Sequence, residues 1–337
     1  CNKSVEGIQM LCEAGGFPLA SPLGVGMQIY GAVPQEPFAG ELPQGVTCVG
    51  FPTSVGVLTA AFIDEAVAGI APEVESASLV HEGPHAGDQP EPVPALLVPG
   101  FTGSKEDFTP FLPYLAERGR SACAYSQRGQ ADSASPKGVE NYRLADFVGD
   151  LIEVARAMGA SERPIHLLGH SFGGVIARQA AVVAPELFRS LTLFSTGPRP
   201  PESMRWTPLR QRLLSSTTGK KLSAWYISQF LSSDPRDELI AERAMVTSED
   251  SLMGAALILA RYPDVSLPLR QSGLPVLITH GVGDTVWPEQ MHREEAVLLG
   301  ARYEVISDAK HSAQLENPAA LADVLAAFWA DVEAGRN

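Results

Sequence analysis

Ser171 stands between two glycines in Gly169-His170-Ser171-Phe172-Gly173, where an apolar run changes its period. Ile165, Leu167 and Leu168 read as a short buried strand, and Phe172, Val175, Ile176, Gln179 and Ala180 recur at helical spacing. A serine at so sharp a strand-to-helix turn is held in a strained conformation and needs small neighbours. The chemistry this supports is nucleophilic attack, with the positive end of the following helix aimed at the developing anion. A hydroxyl is a poor nucleophile at neutral pH, so a base is required. Among the seven histidines the candidate is His311, in "ISDAKHSAQLENP", a short loop between the last predicted strand and the last predicted helix. His166, His170 and His280 read as strand-end packing; His81, His85 and His292 read as solvated side chains. The imidazole needs an acceptor that fixes its tautomer and stabilises its protonated form. Asp284, in the Gly-rich loop of "PVLITHGVGDTVWP", is that candidate, and Asp308, nearer to His311 in sequence, reads as a turn cap.

These residues must be carried by regular elements. Strands are predicted at 95–98, 122–126, 165–168, 191–194, 276–279 and 303–306, and helices at 105–117, 144–158, 172–183, 288–299 and 318–332. Strands alternating with helices of this length give an α/β fold, a mostly parallel sheet with helices on both faces and its site at the carboxyl ends of the strands. Between about 198 and 269 the alternation stops and only helices are predicted, which reads as an inserted lid. Residues 1–75 hold eleven glycines and seven prolines with a net charge of −7, and read as an accessory segment of unknown fold. Helices at 4–14 and 54–70 and a strand at 46–51 are expected there, before a polar linker at 81–94. The domain proper is then 76–337.

The order Ser171…Asp284…His311 resembles the α/β-hydrolase superfamily, in which the nucleophile turn follows the fifth strand, the lid the sixth, the acid the seventh and the histidine the eighth. "KHSAQLENP" is similar to that family's His-x-x-x-x-Glu-x-Pro tail, with His311, Glu316 and Pro318 in register. "YSQRGQADS" resembles its Asp-x-Arg-Gly-x-Gly-x-Ser loop, with Ser126 in place of the Asp and Ala131 in place of the second Gly. The resemblance implies a Ser-His-Asp triad of Ser171, His311 and Asp284, and an oxyanion hole made by the N–H groups of Phe101 and Phe172. The chain has Pro99-Gly100 where the family usually has His-Gly, which removes a side chain that braces the Phe101 loop. Ser104, Lys105, Glu106 and Asp107 read as a helix capping box.

A serine hydrolase of esters, thioesters or lactones is the activity this implies, needing no metal and no cofactor. The same triad serves acyl transfer, cyclisation or C–C bond hydrolysis, and a ligand-binding or sensing protein could retain it. The lid's Leu222, Trp225, Tyr226 and Phe230 fall at helical spacing. They either pack the lid on the domain or line an apolar acyl pocket, for which Trp225, Tyr226 and Trp287 are the candidates. Arg199 to Lys221 carries a net +5 in a chain whose net charge is −14. That stretch is a solvated face, a dock for the acidic N-terminal segment, or a surface for an anionic carrier-bound thioester. So acidic a chain is a poor partner for nucleic acid. Its most apolar run is interrupted by Asp64 and Glu65, so no membrane span is expected. Four scattered cysteines fit a reduced, cytoplasmic setting, with Cys1–Cys12 or Cys12–Cys48 as the alternative pairings, and the N-terminal segment is a candidate homodimer contact.

Overall fold

Runs such as Ala95–Val98 and Ile165–His170 are buried at every position, the pattern of strands covered on both faces. The computed structural model describes residues 29–38, 40–64, 92–200 and 237–336. Its strands are β1 (Val33–Pro34), β2 (Val46–Thr53), β3 (Gly56–Ile63), β4 (Ala95–Val98), β5 (Ala122–Tyr125), β6 (Ile165–His170), β7 (Phe188–Phe194), β8 (Val276–Gly281) and β9 (Arg302–Ile306). The helices are α1 (Leu112–Ala116), α2 (Leu144–Ala157), α3 (Phe172–Val183), α4 (Asp237–Val246), α5 (Glu249–Leu259), α6 (Ser266–Gln271), α7 (Glu289–Leu299), α8 (Ala313–Glu316) and α9 (Pro318–Glu333). All strands join one sheet in the order β1-β2-β3-β5-β4-β6-β7-β8-β9. Pairing is antiparallel from β1 to β5 and parallel from β5 to β9.

Alternation along the strands sorts their side chains into two cores. Leu96, Val98, Leu167 and Leu193 pack with α2 and α3 on one face; Leu97, Leu168, Phe194 and Leu277 pack with α1 and α9 on the other. Each such leucine contributes roughly 1.5–3 kcal/mol by leaving water. Chain order reverses between β4 and β6: β5 flanks β4 on one side while β6 lies on its other side. The carboxyl ends of β4 and β6 therefore open on a shared crevice, the place where open α/β sheets bind ligands.

Three expectations change. Residues 54–70 were expected as a helix, yet β3 pairs with β2 across a two-residue turn at Ser54–Val55, with Thr53 opposite Gly56. A short apolar run fits either period, and here pairing with β5 decides for strand. It follows that the boundary at 75 does not hold, because β1, β2 and β3 are the edge of the same sheet. The helix expected at 105–117 is split into a 3-10 turn at Lys105–Asp107 and α1, with Pro110 in the break, where a proline cannot supply a helical N–H. Of the stretch expected as a lid, about 198–269, residues 198–200 and 237–269 are described, the latter carrying α4, α5 and the start of α6. Lys220, Lys221, Trp225, Tyr226, Phe230, the linker histidines His81 and His85, and Cys1 and Cys12 lie outside the described residues. Cys48 and Cys123 are free and buried, which removes a Cys12–Cys48 bridge. No helix among the described residues is long and apolar enough to cross a membrane.

Candidate active site

Between the end of β6 and the start of α3 stands one residue, Ser171, at φ 54° and ψ −117°. Side chains at the flanking glycines would not fit. A Cβ on Gly173 would meet the carbonyl of Val98, and one on Gly169 would sit 2.5 Å from the carbonyl of Gly173. The tight turn presents the hydroxyl at the crevice and puts the Phe172 N–H, first in α3 and without an intrahelical acceptor, beside it.

The residues expected to act on Ser171 are brought together. His311 Nε2 lies 3.1 Å from Ser171 Oγ, and His311 Nδ1 lies 3.1 and 3.0 Å from the two carboxylate oxygens of Asp284. A carboxylate only accepts, so Nδ1 carries the proton and Nε2 offers its lone pair to the serine O–H. The Asp284 side chain has no exposed surface while that of His311 remains 30% exposed, so the imidazole is reachable from the crevice and its acceptor is not. Burial would raise the Asp284 carboxyl, but hydrogen bonding and charge from His311, with the Val286 N–H at 2.9 Å, hold it down at about 2. It is an anion throughout the neutral range.

The His311 loop is fixed from several directions. Glu316 accepts the N–H groups of Lys310 (2.6 Å) and Ser312 (3.3 Å), one on each side of the histidine. That explains the glutamate five residues on. Gly283 N–H donates to Ala309 O at 2.8 Å and joins the acid loop to the base loop. His170 Nε2–H donates to the His311 carbonyl at 2.8 Å, and the two rings lie 5.0 Å apart. Its ring also packs on Phe108 and Phe194. Burial, and then the neighbouring His311 ring, push the His170 imidazole down to about 4, so it is neutral. Sequence reading gave His170 a packing role only; a side chain whose task is to hold a backbone carbonyl has no spacing signature.

Trp287 was expected in a pocket wall. It is fully buried instead, stacks on His311 at 6.2 Å and 21°, and donates Nε1–H to Arg199 O at 3.2 Å. His292, expected in solvent, is also fully buried, against His280 at 4.5 Å, because it lies on the inner face of α7. Asp308 is exposed in a left-handed turn, φ 51°, as a turn residue rather than a triad acid. The capping box is absent: Ser104 caps nothing but accepts from Arg243 at 3.1 Å, Asp107 pairs with Arg243 at 2.7 Å, and buried Lys105 pairs with Glu106 and Asp132. Arg243 thus ties α4 to the turn after the Phe101 loop. That loop was expected to lack a brace, yet its Pro99 and Gly100 carbonyls accept from Gln127 Nε2 and Gln130 Nε2, each at 2.8 Å.

A second Ser-His-carboxylate chain lies at the opposite end of the sheet. Ser190 Oγ is 2.7 Å from His166 Nδ1, and His166 Nε2 is 3.2 Å from Glu333 Oε1. Ser190 and His166 have no exposed surface, so no substrate reaches them. Glu333 also binds Arg120 and the Val93 N–H, which makes this cluster a fastening for α9. Accessibility, not residue type, separates the two constellations.

Known proteins agree with this architecture. Residues 95–324 match the family model described as the alpha/beta hydrolase family. A proline iminopeptidase of Clostridium botulinum is 36% identical over 106 residues, 31% of this chain, and the chain spans only about a third (36%) of that relative's length. A carboxylesterase structure from Nitrososphaera gargenis superposes with a TM-score of 0.64 at 19% identity, covering 85% of this chain and 99% of that one. A hydrolase from Pseudomonas aeruginosa superposes at 0.60 and 23%, covering 86% and 98%. The chain belongs to the alpha/beta hydrolase family.

Proposed function

We propose that this hydrolase cleaves an ester, thioester or lactone of a small acyl substrate through an acyl-enzyme on Ser171. The observation that supports it is the continuous chain from Ser171 Oγ through the His311 ring to buried Asp284. Ser171 Oγ attacks the carbonyl carbon as its proton passes to His311 Nε2. The resulting imidazolium is stabilised by the Asp284 carboxylate, and the oxyanion is held by the N–H groups of Phe172 and Phe101. Collapse of the tetrahedral adduct expels the leaving group, which takes the proton from His311. Water then enters, gives its proton to His311 and releases the acid, restoring Ser171. A carrier-bound thioester is a substrate of the same class.

The test is a fluorophosphonate probe followed by a panel of p-nitrophenyl esters, acyl thioesters and lactones. Stoichiometric labelling at Ser171, lost in Ser171→Ala and strongly slowed in His311→Ala, is expected. Absence of labelling in the parent chain would turn the reading toward a ligand-binding protein that keeps the triad.

A further inference from the structure

An oxyanion donor works only if its N–H is aimed before the reaction starts. The Phe101 N–H shares one rigid peptide plane with the Gly100 carbonyl, and the described peptides are all trans. Whatever fixes the direction of the Gly100 C=O therefore fixes the opposite direction of the Phe101 N–H. Two groups hold that carbonyl: Gln130 Nε2–H at 2.8 Å and Gly103 N–H at 3.2 Å. The preceding carbonyl, Pro99 O, is held by Gln127 Nε2–H at 2.8 Å. The loop lies against the nucleophile, since a Cβ on Gly100 would stand 3.4 Å from Ser171 Cβ.

The two amides are themselves fixed. Gln130 Oε1 accepts the Gln127 N–H at 3.0 Å, which orients its NH₂ toward Gly100. Both side chains are buried, with 1% and 2% of their surface exposed. The backbone around them is gripped by the start of α5 and the turn before it. Ser251 Oγ–H donates to Arg128 O at 3.0 Å, Ser248 N–H to Gly129 O at 2.8 Å, and Ala131 N–H to Thr247 Oγ1 at 3.2 Å. A route of hydrogen bonds thus runs from the lid, through residues 127–131, to the peptide that carries the second oxyanion donor.

We infer that Gln127 and Gln130 are positioning residues that aim the Phe101 N–H at the oxyanion, a task that Pro99 cannot share. The inference rests on the acyl-enzyme reading above. Neither side chain needs to touch substrate, so the effect falls on the transition state rather than on ground-state binding.

The experiment compares the parent chain with Gln130→Met and Gln127→Met, which keep length and remove the amide. Three readouts are taken: kcat and KM on a chromogenic ester, the inhibition constant of a trifluoromethyl ketone whose adduct with Ser171 carries an oxyanion, and thermal unfolding. Removing an oxyanion donor outright costs about 100- to 1,000-fold in kcat, so mis-aiming one is expected to cost about 10- to 100-fold. KM should stay within about threefold, and ketone affinity should fall by the same factor as kcat/KM. A folded variant with kcat within twofold of the parent overturns the inference, as does a lowered kcat with unchanged ketone affinity. If Gln130→Met does not fold, Gln127→Met carries the same test through the neighbouring carbonyl. A parent chain that takes no fluorophosphonate label overturns the hydrolase reading and this inference together; a labelled parent with unaffected variants overturns this one alone.

Discussion

Ser171 occupies a backbone conformation, φ 54° and ψ −117°, that is the mirror image of the extended region and that only glycine enters freely. Holding a serine there costs on the order of 1–3 kcal/mol, which the packing of β6 and α3 must offset. Ser171→Gly should therefore raise the free energy of urea unfolding by about 1 kcal/mol, net of glycine's own entropy cost, while turnover disappears. Equal or lower stability in that variant would mean the turn is unstrained. Ala131, at φ 45°, is another non-glycine residue held at positive φ. It takes a left-handed conformation where the family pattern has glycine. Ser171, His311 and Asp284 were legible in the sequence because each lies just past a predicted strand, in the chain order of the alpha/beta hydrolase family. Gln127, Gln130 and His170 were not, because they act on backbone carbonyls, and which carbonyl a side chain reaches is settled only by the fold.

Loops at the strand ends need their own fastenings, and these too leave little trace in composition. Glu316, at the end of α8, holds the N–H groups on both sides of His311. Glu316→Ala should lower kcat about tenfold with KM nearly unchanged, since the base is left correct in type but loose in place. Steady-state kinetics on a chromogenic ester check this, and a change confined to KM would contradict it. The predicted crossover elements mostly matched, for instance α3 at Phe172–Val183 and β4 at Ala95–Val98. Hairpin β2–β3 was missed for a physical reason. Its turn, Ser54–Val55, has none of the Asn-Gly or Gly-Gly chemistry that announces a two-residue hairpin, and apolar residues resume at 66–70 after Asp64 and Glu65, so the longer stretch also suits a helix. Pairing with β5, about sixty residues later, supplies what the local sequence withholds.

Across the whole molecule, buried imidazoles make the fold acid-sensitive. Burial first, and then neighbouring histidines, push His170 and His292 from 6.5 down to about 4, and burial also lowers His166. The unfolded chain takes up these protons near pH 6.5, whereas the fold resists them until about 4. Stability is therefore complete above 6.5 and is lost as pH falls through 4. The urea midpoint should fall over that interval, and His292→Leu, which removes a ring with no hydrogen-bond partner on either nitrogen among the described residues, should flatten the slope. An unchanged slope would assign the acid sensitivity elsewhere. Glu333 carries a different consequence. It fastens Val93, Arg120 and His166, groups 240, 213 and 167 positions upstream, at the amino ends of three central strands. During translation those strands leave the ribosome long before their clasp has been synthesised, so this latch on their amino ends closes only once α9 has emerged.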